Sequence, residues 1–109
     1  MLVGDYTKGI FVEKQWKELH VGMMVKIKRD EYFPADLILL NSSAPKGICY
    51  IETKDLDGET NLKHKTSQKK LLDLGLSSDA EILKNMKGAF VECENPNDQL
   101  YRFEGTVFV

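Results

Sequence analysis

The chain has 109 residues and a mass of 12.4 kDa, room for one domain with a modest core and too little for a multi-step, energy-coupled machine. Lys and Arg number 15 against 17 Asp and Glu, a formal net charge of −2, and no interleaving of basic and aromatic residues occurs, so the usual grounds for nucleic-acid binding are missing. The longest apolar run, Leu37-Ile38-Leu39-Leu40, is far short of the ~20 residues that a membrane-spanning helix needs.

The opening residues, Met1 to Asp5, carry no basic start ahead of an apolar stretch, so no signal peptide is expected. Residues 9–13 read as a short strand, and residues 14–19 as a turn or a single helical turn bearing the lone tryptophan, Trp16. Alternation over residues 24–28 predicts a half-buried strand. Pro34 breaks the pattern, and residues 36–42 then predict a mostly buried strand. A connection rich in turn formers, residues 42–47, leads to a strand over residues 48–53 that feeds directly into an Asp57-Gly58 turn.

Past Lys63 the texture changes. Residues 65–70 are polar, and residues 77–87 predict a helix with Ser78 and Glu81 as its capping box, Ile82, Leu83 and Met86 on one face, and Gly88 as its stop. Residues 89–93 predict a strand and residues 95–98 a turn. Residues 100–109 predict a long strand with Tyr101, Phe103, Val107 and Val109 on one face. That pattern is still running at Val109, so the natural domain is expected to continue.

The sum is about six short strands and one helical insertion over about residues 64–88, joined by Gly, Pro and Asn turns. It predicts a mainly-β fold, a distorted antiparallel jelly roll or sandwich, in place of alternating βαβ units. Trp16, Phe33, Phe90 and Phe103 are expected in the core. Cys49 and Cys93 have no paired spacing to each other or to His20 and His64, so reduced thiols and no metal site are expected.

The chemistry gathers at the bend formed by Asp57, Gly58, Glu59 and Thr60. Gly58 accepts positive φ and Asp57 tolerates it, which puts Glu59 at a loop tip. A carboxylate held there can reach into a partner's active site and handle a water molecule. Taken alone, the four residues read first as an ordinary hairpin turn, because strings this short occur by chance. Asp36, in the Pro34, Ala35, Asp36 element, reads as a hydrogen-bonded structural carboxylate ahead of an apolar strand. Lys63, His64, Lys65, Lys69 and Lys70 could meet anionic headgroups or a phosphorylated partner, but read first as a solvated loop face.

The company of the bend adds weight. Pro34-Ala35-Asp36-Leu37-Ile38-Leu39-Leu40, Ile51-Glu52-Thr53, Leu56-Asp57-Gly58-Glu59-Thr60-Asn61-Leu62-Lys63, Cys93-Glu94-Asn95-Pro96-Asn97 and Leu100-Tyr101-Arg102-Phe103-Glu104-Gly105 follow one another in a single order. This ordered set resembles the actuator domain of P-type ATPases, and specifically the phospholipid-transporting branch, the lipid flippases. Ion-pumping branches typically carry Thr-Gly-Glu-Ser at the loop, whereas the Asp-Gly-Glu-Thr-Asn-Leu-Lys form is similar to the flippase version. One departure is Gly22-Met23, where the family usually has Gly-Asp.

The resemblance implies a role in which a separate domain forms an aspartyl-phosphate from ATP with Mg²⁺ and this loop swings in to help hydrolyse it. Glu59 is then the catalytic base, with Asp57, Gly58 and Thr60 as supporting parts and Pro34, Ala35 and Asp36 as a structural motif. The implied partners are the phosphorylation and nucleotide-binding domains of the same chain, with the phospholipid substrate and an accessory subunit reached through a membrane domain. Residues 1–109 would form a single soluble actuator domain on the cytosolic face of a membrane. No Asp-Lys-Thr-Gly-Thr sequence and no Gly-x-x-x-x-Gly-Lys-Ser/Thr loop is present, so the chain by itself is expected to bind no nucleotide and to be inactive. The alternative is a flippase-like regulatory or scaffolding β-domain without transport.

Overall fold

Short antiparallel strands dominate the computed structural model, which describes residues 1–74, 78–98 and 103–109. The chain divides into two compact units, Met1–Lys28 with Asp79–Val109, and Arg29–Ser78.

In the first unit, β1 (Leu2–Asp5) pairs antiparallel with β2 (Ile10–Glu13) on one side and with β3 (Val25–Lys26) on the other, giving the order β2-β1-β3. The register Val3↔Val12 and Val3↔Val25 stacks three valines across the sheet, the cross-strand contact that β-branched side chains make best. The predicted strand over 9–13 is present, and the one over 24–28 shrinks to two residues. β1 was not expected, because four residues interrupted by Gly4 show no alternation.

Helix α3 (Asp79–Met86) starts one residue after Ser78, the predicted cap, and lies on the three-stranded sheet. Ser77 is outside the described residues. The apolar face expected at 82, 83 and 86 supplies the core: Leu83 and Met86 are buried together with Met1 and Val3. The helix approaches the sheet so closely that a Cβ on Gly4 would collide with Leu83 Cδ2. Gly4 is thus required by contact, since its missing side chain is the space that Leu83 fills. At the helix start Lys26 Nζ sits 2.9 Å from Asp79 Oδ2 with both side chains about half exposed. Asp79→Asn is expected to change stability by under ~1 kcal/mol in a urea titration, as exposed ion pairs do.

The same unit carries a separate hairpin, β6 (Phe90–Cys93) with β7 (Gly105–Phe108). Phe90 and Phe108 stack across it with ring centroids 4.7 Å apart, yet Phe90 is 55% and Phe103 61% exposed. With Trp16 and Phe33 also exposed, the expected aromatic core is corrected to an aliphatic one. Of the long strand predicted over 100–109, residues 105–108 are β7, while Leu100 and Tyr101 lie outside the described residues.

The second unit is built on β4 (Ile48–Ile51) and β5 (Lys63–Thr66), paired from Ile48↔Thr66 to Ile51↔Lys63. β5 corrects the reading of this stretch as a loop. Lys-His-Lys-Thr has no apolar alternation, so its strand form comes from the ladder that β4 offers. A short helix, α2 (Lys69–Leu72), follows, with Leu71 buried. Buried Ser67 donates its hydroxyl to Leu40 O, which ties the apolar run 37–40 to the end of β5. That run is not the predicted strand: residues 36–42 form no ladder, and Leu37 and Ile38 are part exposed. Four consecutive apolar residues do not by themselves choose a strand; a pairing partner must be at hand.

The mainly-β expectation holds, with small antiparallel sheets and few helices. Among the described residues the strands form three separate sheets, β2-β1-β3, β4-β5 and β6-β7, with no ladder joining them into a jelly roll. None of their helices is long and apolar enough to cross a membrane.

Candidate functional site

The connection from β4 to β5, residues 52–62, carries the Asp57 to Thr60 string. Its entry is a helical turn, α1 (Lys54–Asp57), capped by Gly58 in the left-handed region at φ 76°. The expected two-residue Asp57-Gly58 hairpin turn is therefore corrected. Asp57 is helical, and the amide of Gly58 donates to Lys54 O at 2.8 Å to close the turn. The glycine does what the sequence asked of it, but as a helix stop. A Cβ on Gly58 would meet nothing within 4 Å, so its substitution carries a purely conformational cost. Gly58→Ala is expected to lower stability by ~1–2 kcal/mol, read as an earlier urea midpoint with an unchanged slope.

Beyond the cap the backbone turns back on Asp57. The Glu59 amide donates to Asp57 Oδ1 at 2.9 Å, an Asx-type bond that fixes the direction in which Glu59 leaves the turn. Two more groups share that carboxylate. Thr53 Oγ1 donates to Asp57 Oδ1 at 2.8 Å, and Lys63 Nζ donates to Oδ2 at 3.1 Å. The Asp57 side chain is only 5% exposed.

Glu59 and Thr60 are exposed. Among the described residues nothing ion-pairs or hydrogen-bonds with the Glu59 carboxylate. The loop thus joins a fixed backbone to a free acid.

Pro34, Ala35 and Asp36 line an open cleft of about 600 Å³ together with Ile51 to Leu56, the segment that leads into the loop. The structure therefore gathers two of the motif elements, the Pro-Ala-Asp stretch and Ile51-Glu52-Thr53, beside the same opening. Glu59 is not part of that lining. Asp36 is exposed.

Cys49 and Cys93 are free thiols. His64 lies against Tyr50 with ring centroids 5.6 Å apart. No group of three or more His, Cys, Asp or Glu placed to hold a metal ion occurs among the described residues. Sequence reasoning missed Thr53 and Lys63 as parts of the loop. The available signal was their position at its two ends, four residues before and six residues after Asp57.

No protein-family model matches the chain. Individual proteins do. Probable phospholipid-transporting ATPase 5 of Arabidopsis thaliana is 50% identical over 101 residues, covering 93% of this chain and 8% of the relative. Phospholipid-transporting ATPase DRS2 of Saccharomyces cerevisiae is 50% identical over 97 residues, 89% of this chain and 7% of the relative. The chain is homologous to a segment of the phospholipid-transporting ATPases. Phospholipid-transporting ATPase IC of Homo sapiens continues the set at 45% identity over 100 residues, 92% of this chain and 8% of that protein. The resemblance drawn from the ordered motifs is borne out at the level of the family. The chain spans less than a tenth of the length of these curated relatives.

Proposed function

We propose that this chain is the actuator domain of a P-type phospholipid flippase and that Glu59 is the base that completes hydrolysis of an aspartyl-phosphate carried by another domain. The observation that supports this most is an exposed carboxylate with no ion-pair or hydrogen-bond partner among the described residues, emerging from a turn whose backbone is pinned by Asp57.

The chemistry follows from that pairing. Hydrolysis requires a water in line with the bond between phosphorus and the aspartate oxygen. As the water oxygen bonds to phosphorus, the acyl phosphate bond breaks, the aspartate leaves as a carboxylate, and the proton of the water passes to Glu59 as phosphate departs. An ionised glutamate is a competent acceptor. Asp57 and Gly58 shape the loop, and the exposed Thr60 hydroxyl is available to a phosphate oxygen. Pro34, Ala35 and Asp36 support the segment that feeds the loop.

ATP and Mg²⁺ belong to the phosphorylation and nucleotide-binding domains of the longer protein, and the phospholipid and an accessory subunit belong to its membrane part. Docking of the loop would rotate this domain and bias which side of the bilayer the lipid site faces. By itself the chain supplies half an active site and should hydrolyse nothing. The test is the lifetime of the phosphoenzyme in the full-length Glu59→Gln protein.

A further inference from the structure

Loop residues 52–62 leave β4 at Ile51 and re-enter the sheet at Lys63. Thr53 stands near the entry and Lys63 at the exit, and both donate to one carboxylate, that of Asp57. Thr53 holds Asp57 twice: its hydroxyl reaches Oδ1, and its carbonyl accepts the Asp57 amide at 2.9 Å. Oδ1 in turn receives the Glu59 amide. The Asp57 side chain is thereby locked from both ends of the loop, and the Glu59 backbone is locked to it.

The burial matters. A carboxylate only 5% exposed has lost most of its hydration and depends on its donors. Lys63 places an ammonium 3.1 Å from Oδ2. The ammonium also offsets part of the negative charge that Asp57 places two residues from Glu59, which opposes the approach of an anionic phosphate.

We infer that Thr53 and Lys63 are positioning residues for Glu59, acting through Asp57: the hydroxyl and the ammonium fix the carboxylate that aims the base. This rests on the reading of Glu59 as the dephosphorylation base. It adds two residues that never touch the reacting atoms.

The experiment uses the full-length protein, phosphorylated with radiolabelled ATP and then chased with unlabelled ATP. Thr53→Val keeps the shape and removes the O–H donor. It is expected to form phosphoenzyme to the normal level and to lose it at least ~10-fold more slowly, the scale on which sub-ångström misplacement of a base acts. Thr53→Ser keeps the donor and should decay at the wild-type rate. Lys63→Gln should decay as slowly as Thr53→Val. Adding Thr53→Val to Asp57→Ala should slow decay no further, since the carboxylate through which Thr53 acts is already gone.

Wild-type decay in Thr53→Val overturns the inference, and so does decay in Thr53→Ser as slow as in Thr53→Val. A defect in the double variant equal to the product of the two single defects does the same. If Thr53→Val forms no phosphoenzyme while Thr53→Ser does, the hydroxyl serves folding and the inference also fails. Glu59→Gln measured beside them separates the levels: normal decay there overturns the underlying reading, whereas trapping there with normal decay in Thr53→Val overturns only the positioning role.

Discussion

Glu59→Gln in the full-length flippase is expected to accept phosphate from ATP normally and then to hold it, with lipid-stimulated turnover reduced at least ~10²-fold. Glutamine keeps the size and hydrogen-bonding capacity of the side chain and removes only its ability to accept a proton. Because Glu59 is exposed and makes no bond to the rest of the described chain through its carboxylate, the substitution should leave stability within about ±0.5 kcal/mol. The loss is then chemical. The measurement is the amount of acid-stable phosphoenzyme before and after a chase. Normal decay together with normal turnover would overturn the assignment of Glu59.

Leu83→Ala is expected to have the largest effect on stability. Leu83 is 1% exposed and packs where Gly4 lacks a side chain, so truncation leaves a cavity under α3 and should cost ~2–5 kcal/mol. Against the 5–15 kcal/mol typical of a whole domain, that is enough to shift the urea midpoint strongly. Gly4→Ala is expected to cost ~1–3 kcal/mol by overpacking the same spot. Together the two should cost less than their sum, because the methyl added at position 4 enters the space vacated at position 83. Strict additivity in a urea-denaturation cycle would show that the two residues do not share this contact.

What the sequence made legible was the family. The string from Leu56 to Lys63 and the motifs around it were sufficient to point to the phospholipid-transporting ATPases, since several motifs in one order are far more specific than any alone. The helix over 79–86 was legible from its apolar spacing. The aromatic core was not. Phe90, Phe103, Phe33 and Trp16 are large and apolar, but apolar character is only a one-way guide to burial, and the interior of the first unit went to Val3, Leu83 and Met86 instead.

The strand at Lys63–Thr66 was hidden for a related reason. Its residues carry no β pattern of their own, and pairing with Ile48–Ile51 imposes one. The clamp on Asp57 was hidden twice over. It needs the helical turn that brings Thr53 alongside Asp57, and it needs β5, which brings Lys63 back to the same place. Neither could be read while that bend was taken as a two-residue hairpin.

Lys63 is at once the last rung of the β4–β5 ladder and a donor to Asp57. Successive residues of a strand face opposite ways, so a slip of one position would send its ammonium to the far side of the ribbon. If Glu59 is the base proposed above, strand alignment and proton transfer depend on the same side chain, and a misaligned ribbon would be a silent one.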